Sequence, residues 1–231
     1  MRKLFVKTHN VKNFVELMNN LIDKSNEVPK MGLVYGDPGL GKTRVAVWWA
    51  NRNDAVYVRA QNNMTSHGIL EKIVEELGEA PSKKSTDLMK QCTAHLRLNP
   101  QVIIIDEVDY LIGRSKTIET LRDLHDLTGA PVVLIGISTL KAVYSSSENG
   151  FAKIRDEFLD RIDDVITDGI TSFNEELSEI KITDEAKEIF FEKSNRFRQA
   201  IKGIATLENL AKTNGLNKID VKQVKGLTIE K

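Results

Sequence analysis

A single cysteine, Cys92, stands in 231 residues. One thiol excludes an intramolecular disulfide and any cysteine-rich metal site. Histidine is scarce as well. There are four, and His67, His95 and His125 share no ligand spacing, so they read as packing or surface residues rather than a zinc site. Charge of one sign is missing: 33 Lys and Arg balance 33 Asp and Glu. No global basic field announces a nucleic acid, though a local patch stays open. No apolar run approaches the roughly 18 residues that a membrane span needs. Met1-Arg2-Lys3-Leu4-Phe5 leads into polar sequence rather than an apolar signal core. These absences give the expectation of a soluble, cytoplasmic protein with no membrane partner. The chain has no internal repeat and no low-complexity segment.

What is present begins with Gly36-Asp37-Pro38-Gly39-Leu40-Gly41-Lys42-Thr43, which fits G-x-x-x-x-G-K-[ST]. Met31-Gly32-Leu33-Val34-Tyr35 reads as a strand before it, with Tyr35 completing that strand. Arg44 to Ala50 reads as a helix after it. Strand, glycine loop and helix are the context in which backbone N–H groups wrap an anion without a Cβ in the way. The helix adds its positive end. Lys42 then reaches the β- and γ-phosphates, and the Thr43 hydroxyl holds Mg²⁺.

A hydrophobic content of 41% suits one α/β domain plus a small second one. Val11, Phe14, Val15, Met18, Leu21 and Ile22 have helical spacing, with Asn10 as the cap. Strands are expected at 55–59, 102–105, 132–135 and 164–166. Helices are expected at 69–77, 86–98, 117–128 and 151–159. This alternation predicts a parallel sheet between helices. Beyond about Ile170 the strand signals stop, and 184–193, 195–213 and 220–227 read as helices. The division expected is a core at 1–170 and a helical unit at 171–231. Trp48 and Trp49 are adjacent, so one belongs in the core and the other at a helix interface. Phe190 and Phe191 read as core residues of the small unit.

Val102-Ile103-Ile104-Ile105 runs into Asp106-Glu107. Ligands of parallel sheets bind at the carboxyl ends of the strands. Asp106 is there to hold Mg²⁺ opposite Thr43, and Glu107 to orient or activate the attacking water. The next strand ends in Gly136-Ile137-Ser138-Thr139. Ser138 or Thr139 either positions that water or caps the next helix. Arg155 and Arg161 flank an acidic stretch. Each is either a surface charge or an arginine presented to a neighbouring subunit's phosphates. Arg198 opens a helix of the small unit from which it can reach a nucleotide.

These features occur in the order of AAA+ ATPases, and the resemblance covers nearly all of the chain. Leu121 to Gly136 most resembles the phage Mu B transposition protein and the TnsC transposition regulators. The resemblance implies a P-loop AAA+ core with a helical lid, ATP and Mg²⁺ as cofactors, and Mg²⁺-dependent ATP hydrolysis. By position it makes Lys42 and Thr43 phosphate and Mg²⁺ ligands, Asp106 the Walker B carboxylate and Glu107 the catalytic glutamate. Ser138 or Thr139 becomes sensor 1, Arg161 the arginine finger and Arg198 sensor 2. It implies a homo-oligomer with ATP at subunit interfaces, assembled on double-stranded DNA, and a transposase or related recombination protein as partner. Two departures stand out. Many AAA+ proteins carry Asn at sensor 1, and a hydroxyl there implies slow hydrolysis. The helix-turn-helix domain of Mu B has no counterpart in residues 1–35, so DNA contact is expected from the ATPase core.

Lys83-Lys84-Ser85-Thr86, a basic loop between two helices, is the candidate for that contact. It is either a salt-sensitive, sequence-independent phosphate contact or a solvated helix cap. Arg114-Ser115-Lys116-Thr117 is a weaker second candidate. Two other functions share the core: a helicase loader, and an adaptor that holds ATP without hydrolysing it. A P-loop nucleoside kinase is a more distant third, disfavoured by Arg161 and the lid.

Overall fold

Five strands run parallel in one sheet in the computed structural model, which describes residues 9–25, 27–137, 162–166, 180–194 and 196–227. Their order is β2 (Val56–Arg59), β3 (Ile103–Asp106), β4 (Val132–Gly136), β1 (Met31–Tyr35), β5 (Ile162–Ile166). Met31 pairs with both Val132 and Ile162, Ile103 with Val132, and Val56 with Ile103. Because the register is shared, the strands end along one edge. Tyr35 lies beside Gly136, and Arg59 beside Asp106.

Strand alternation sends Met31, Leu33, Val56, Val58, Ile103, Ile105, Val132 and Leu134 into one cluster. On that face the sheet meets α3 (Ser66–Glu76), α4 (Ser85–Leu98) and α5 (Ser115–Thr128) through Ile69, Ile73, Leu88, Leu96, Ile118 and Leu121. The intervening residues Val34, Ile104, Val133 and Ile135 are buried on the other face. There α1 (His9–Asp23) turns Phe14, Leu17, Met18 and Leu21 inward, at the spacing of one helix face. Gly32 makes that approach possible: a Cβ there would lie 2.7 Å from Leu21 Cδ1. In α2 (Lys42–Asn53), Trp49 is buried edge-on against Phe14, at 6.4 Å between ring centroids. Trp48 carries the Arg52 guanidinium over its ring. The expected core tryptophan is Trp49; Trp48, expected at a helix interface, is half-buried under a cation of its own helix.

His125, read as packing or surface, is buried and ties loop to helix. Its Nδ1 faces the Ala130 carbonyl at 2.8 Å and its Nε2 accepts from Lys30 N–H at 3.3 Å. A neutral ring with the proton on Nδ1 satisfies both.

The chain divides into two compact units. One comprises residues 13–36 and 42–167, the other 1–12, 37–41 and 168–231. The second contains α6 (Asp184–Lys193), α7 (Phe197–Thr213) and α8 (Val221–Lys225). Its core is Ile182, Ala186, Phe190, Ala200, Ile204, Leu207, Ile219 and Val224. Here the expectation that strands cease needs correcting. β6 (Lys181–Ile182) and β7 (Lys218–Ile219) form a small parallel pair. Two residues are too few for an alternation to register in sequence. Asp220 and Gln223 form a capping box that starts α8 directly after β7. Asn10 is a second correction. It lies within α1, and its amide donates to the Leu40 carbonyl at 3.4 Å. The helix expected at 151–159 lies outside the described residues.

Candidate nucleotide site

The loop after β1 has the backbone its glycines suggested. Gly39 and Gly41 have φ of +87° and +89°, which side chains resist. Lys42 opens α2, and its ammonium donates to the Gly36 carbonyl at 2.7 Å, arching over the start of the loop. Thr43, in the first turn of α2, is exposed.

Asp106 ends β3 and is buried. Its Oδ2 accepts from the Tyr57 hydroxyl and its Oδ1 from Glu107 N–H, each at 2.8 Å. Both oxygens are thereby oriented. Burial first, then the Asp106 charge, raises the Tyr57 phenol well above its usual range and keeps it a donor. Glu107 follows with φ 55° and ψ 39°, a left-handed conformation rare for a side-chain-bearing residue. Strain of this kind costs about 1–3 kcal/mol and gathers at functional sites. Its carboxylate is paired with the Arg59 guanidinium at 2.5 Å, from the end of the neighbouring strand. That hydrogen bond and charge raise the Arg59 pKa.

Asp109 lies in the 3-10 turn Val108–Leu111 that follows and accepts from Ile137 N–H at 2.8 Å, linking the segments after β3 and β4. Burial raises its pKa, opposed by that bond. Arg59, Tyr57 and Asp109 were not singled out in the sequence. The only signal was their position at or near strand ends that share the carboxyl edge.

In the unit that contains residues 37–41, Arg198 N–H donates to the Gly39 carbonyl at 3.1 Å, while the Arg198 side chain is exposed. Arg196 approaches Asp37 at 3.5 Å. The structure therefore brings a second arginine, Arg196, to the glycine loop. In the sequence only Arg198 stands out, by its place at the start of a helix. Ser138, Thr139, Arg155 and Arg161 lie outside the described residues. Lys83 and Lys84 are exposed on the segment before α4. Ser85 opens that helix, with its hydroxyl 3.0 Å from His67 Nδ1. Thr86 is exposed beside it. Lys84 occupies the N-cap position but makes no side-chain capping bond. In the second basic segment, Arg114 bonds Asn63 and Thr117 is buried.

The residues present fit a phosphate group. The glycines hold the positive φ that side chains resist, and a lysine and a hydroxyl follow them, as a phosphate-binding loop requires. A fixed buried carboxylate at the same sheet edge fits a hydrated divalent cation. Among the described residues, no group of three or more His, Cys, Asp or Glu could hold a metal ion. Among them, too, no helix is long and apolar enough to cross a membrane.

A parallel sheet with a glycine loop after one strand and an Asp-Glu step after another is the arrangement of P-loop α/β proteins. Residues 25–143, just over half of the chain, match the family described as AAA domain, and the protein belongs to that family. It is 29% identical over 161 residues to the RuvB subunit of the Holliday junction branch migration complex of Fusobacterium nucleatum. That match covers 67% of this chain and 44% of the relative, so the chain spans less than half of that protein. Two of the solved structures that share the fold illustrate it. The Aeropyrum pernix ORC2 protein in its ADP form gives a TM-score of 0.65 at 14% identity, covering 98% of this chain and 69% of the other. Drosophila ORC bound to DNA gives 0.60 at 16% identity, covering 97% and 62%.

Proposed function

We propose that this protein is an ATP-dependent switch that assembles on double-stranded DNA and, in that form, regulates transposition by recruiting or activating a transposase. The observation that carries the ATP reading is the Asp106–Glu107 step, held at the carboxyl edge of the sheet whose first strand feeds the glycine loop. Lys42 and the backbone N–H groups of 39–43 bind the phosphates of ATP. Thr43 and Asp106 would hold Mg²⁺, which when bound neutralises phosphate charge. Glu107 orients the attacking water and takes its proton. Ser138 or Thr139 lies after β4, the strand between β3 and β1, and assists at the γ-phosphate. Arg198 reports nucleotide from the lid, and Arg161 completes the site of a neighbouring subunit. The division into a core at 1–170 and a lid at 171–231 belongs to this reading.

Lys83 and Lys84, exposed with Ser85 and Thr86 at the start of α4, supply sequence-independent contacts to DNA phosphates. The DNA-bound state of one structural neighbour supports DNA as the partner. The transposition role rests on the resemblance of 121–136. The ADP-bound and DNA-bound neighbours fit a second reading equally well, in which the same switch loads another ATPase onto DNA. Sedimentation with double-stranded DNA and ATP, ADP or no nucleotide tests the common core of both. Large assemblies only with ATP and DNA are expected. A small species indifferent to DNA overturns the DNA half. Capture of a transposase or of a helicase then separates the two readings.

A further inference from the structure

Lys181 and Lys218 are direct register partners in the β6–β7 pair. Both are exposed, while Ile182 and Ile219 beside them are buried, so the two lysines stand on the same outer face. Adjacent strands are about 4.8 Å apart, and like charges placed opposite one another destabilise a sheet. At the carboxyl end of these strands opens a groove lined by Thr183, Asp184, Glu185, Asp220, Lys222 and Lys225. Asp184 pairs with Lys187 at 2.9 Å and feels the Lys181 charge, Asp220 accepts from the backbone N–H of Lys222, and Glu185 is exposed beside them. Among the described residues, Lys181, Lys218 and Lys222 have no ion-pair partner within 4 Å.

Cations outnumber carboxylates along 180–227, within a chain of zero net charge. The excess is displayed on a two-stranded ribbon and the helix after it. A polyanion with regularly spaced charges relieves the opposed lysines and complements the unpaired positive charge of this face. We infer that this face of the helical unit, through Lys181, Lys218 and Lys222, is a phosphate-backbone contact for double-stranded DNA, separate from Lys83 and Lys84. The inference rests on the DNA-binding reading above and adds a second binding surface to it.

The test uses the full chain with ATP and a labelled double-stranded DNA of random sequence, titrated across a salt series. Each lysine–phosphate contact adds about 0.9 to the slope of log affinity against log salt. K218A/K222A should lower that slope by about 2 and weaken binding at least about tenfold at physiological salt. Its thermal midpoint should equal or exceed the parent's, since a like-charge pair is removed. K218R/K222R should keep the slope. An unchanged slope in K218A/K222A, with the parent binding DNA, overturns the second surface and leaves the DNA reading standing. Equal loss in the arginine variant also overturns it, because charge is then not what matters. Failure of the parent to bind DNA overturns both.

Discussion

Glu107 is under two constraints at once: a left-handed backbone and an ion pair with Arg59. Neither was legible in sequence, because the pair joins residues 48 positions apart through the β2–β3 register. The pair holds the carboxylate on Arg59. Arg59→Ala should therefore release Glu107 and raise basal phosphate release severalfold. Glu107→Gln should lower it by about 10²–10⁴. Slower hydrolysis in Arg59→Ala would mean that the arginine supports the site. Cys92 gives a second test at this scale. Burial pushes its thiol from 9.0 to about 12. Above pH 9 the unfolded chain loses this proton while the folded one keeps it, so stability falls as pH rises from 9 toward 12. Below pH 9 the contribution is fully present. Cys92→Ala should flatten that alkaline limb in denaturant titrations. The parent thiol should resist alkylation at pH 8 until the chain unfolds.

Elements were more legible than their contacts. The buried runs at 102–105 and 132–135 announced central parallel strands, because both faces of such a strand meet helices. The periodic stretches gave α1, α3, α4 and α5 to within a few residues. Beyond residue 170 the three helices were visible and the ribbon was not, since β6 and β7 are held by pairing rather than pattern. Gly203 shows what packing adds to propensity. Within a helix, Gly→Ala gains up to about 1 kcal/mol. A Cβ at 203, however, would lie 2.6 and 2.9 Å from ring atoms of buried Phe190. An aromatic ring packed in a core cannot yield as a flexible chain end does, and overpacking costs about 1–3 kcal/mol. Gly203→Ala should therefore lower stability by about 1–2 kcal/mol, read by denaturant unfolding. Gly203→Ala/Phe190→Leu should recover part of the loss, and an increase in stability for the single variant would contradict the packing of α6 on α7.

At the scale of the whole molecule, the proposed coupling between nucleotide and assembly makes opposite demands on two residues a strand and a loop apart. Lys42 donates to the Gly36 carbonyl, a bond it must exchange for phosphate oxygens if ATP is to bind. Lys42→Ala should bind ATP at least about tenfold more weakly and lose ATP-dependent assembly on DNA. Glu107→Gln keeps the loop, Lys42 and Asp106 intact, so it should bind ATP normally and persist in the assembled state, because hydrolysis is the step that releases subunits. The measurement is the lifetime of DNA-bound assemblies after dilution into excess ADP. The parent should disassemble at its hydrolysis rate, Glu107→Gln far more slowly, and Lys42→Ala should give nothing to disassemble. Equal lifetimes for parent and Glu107→Gln would uncouple hydrolysis from release. DNA-bound assemblies of Lys42→Ala would show that ATP is not the signal that drives assembly.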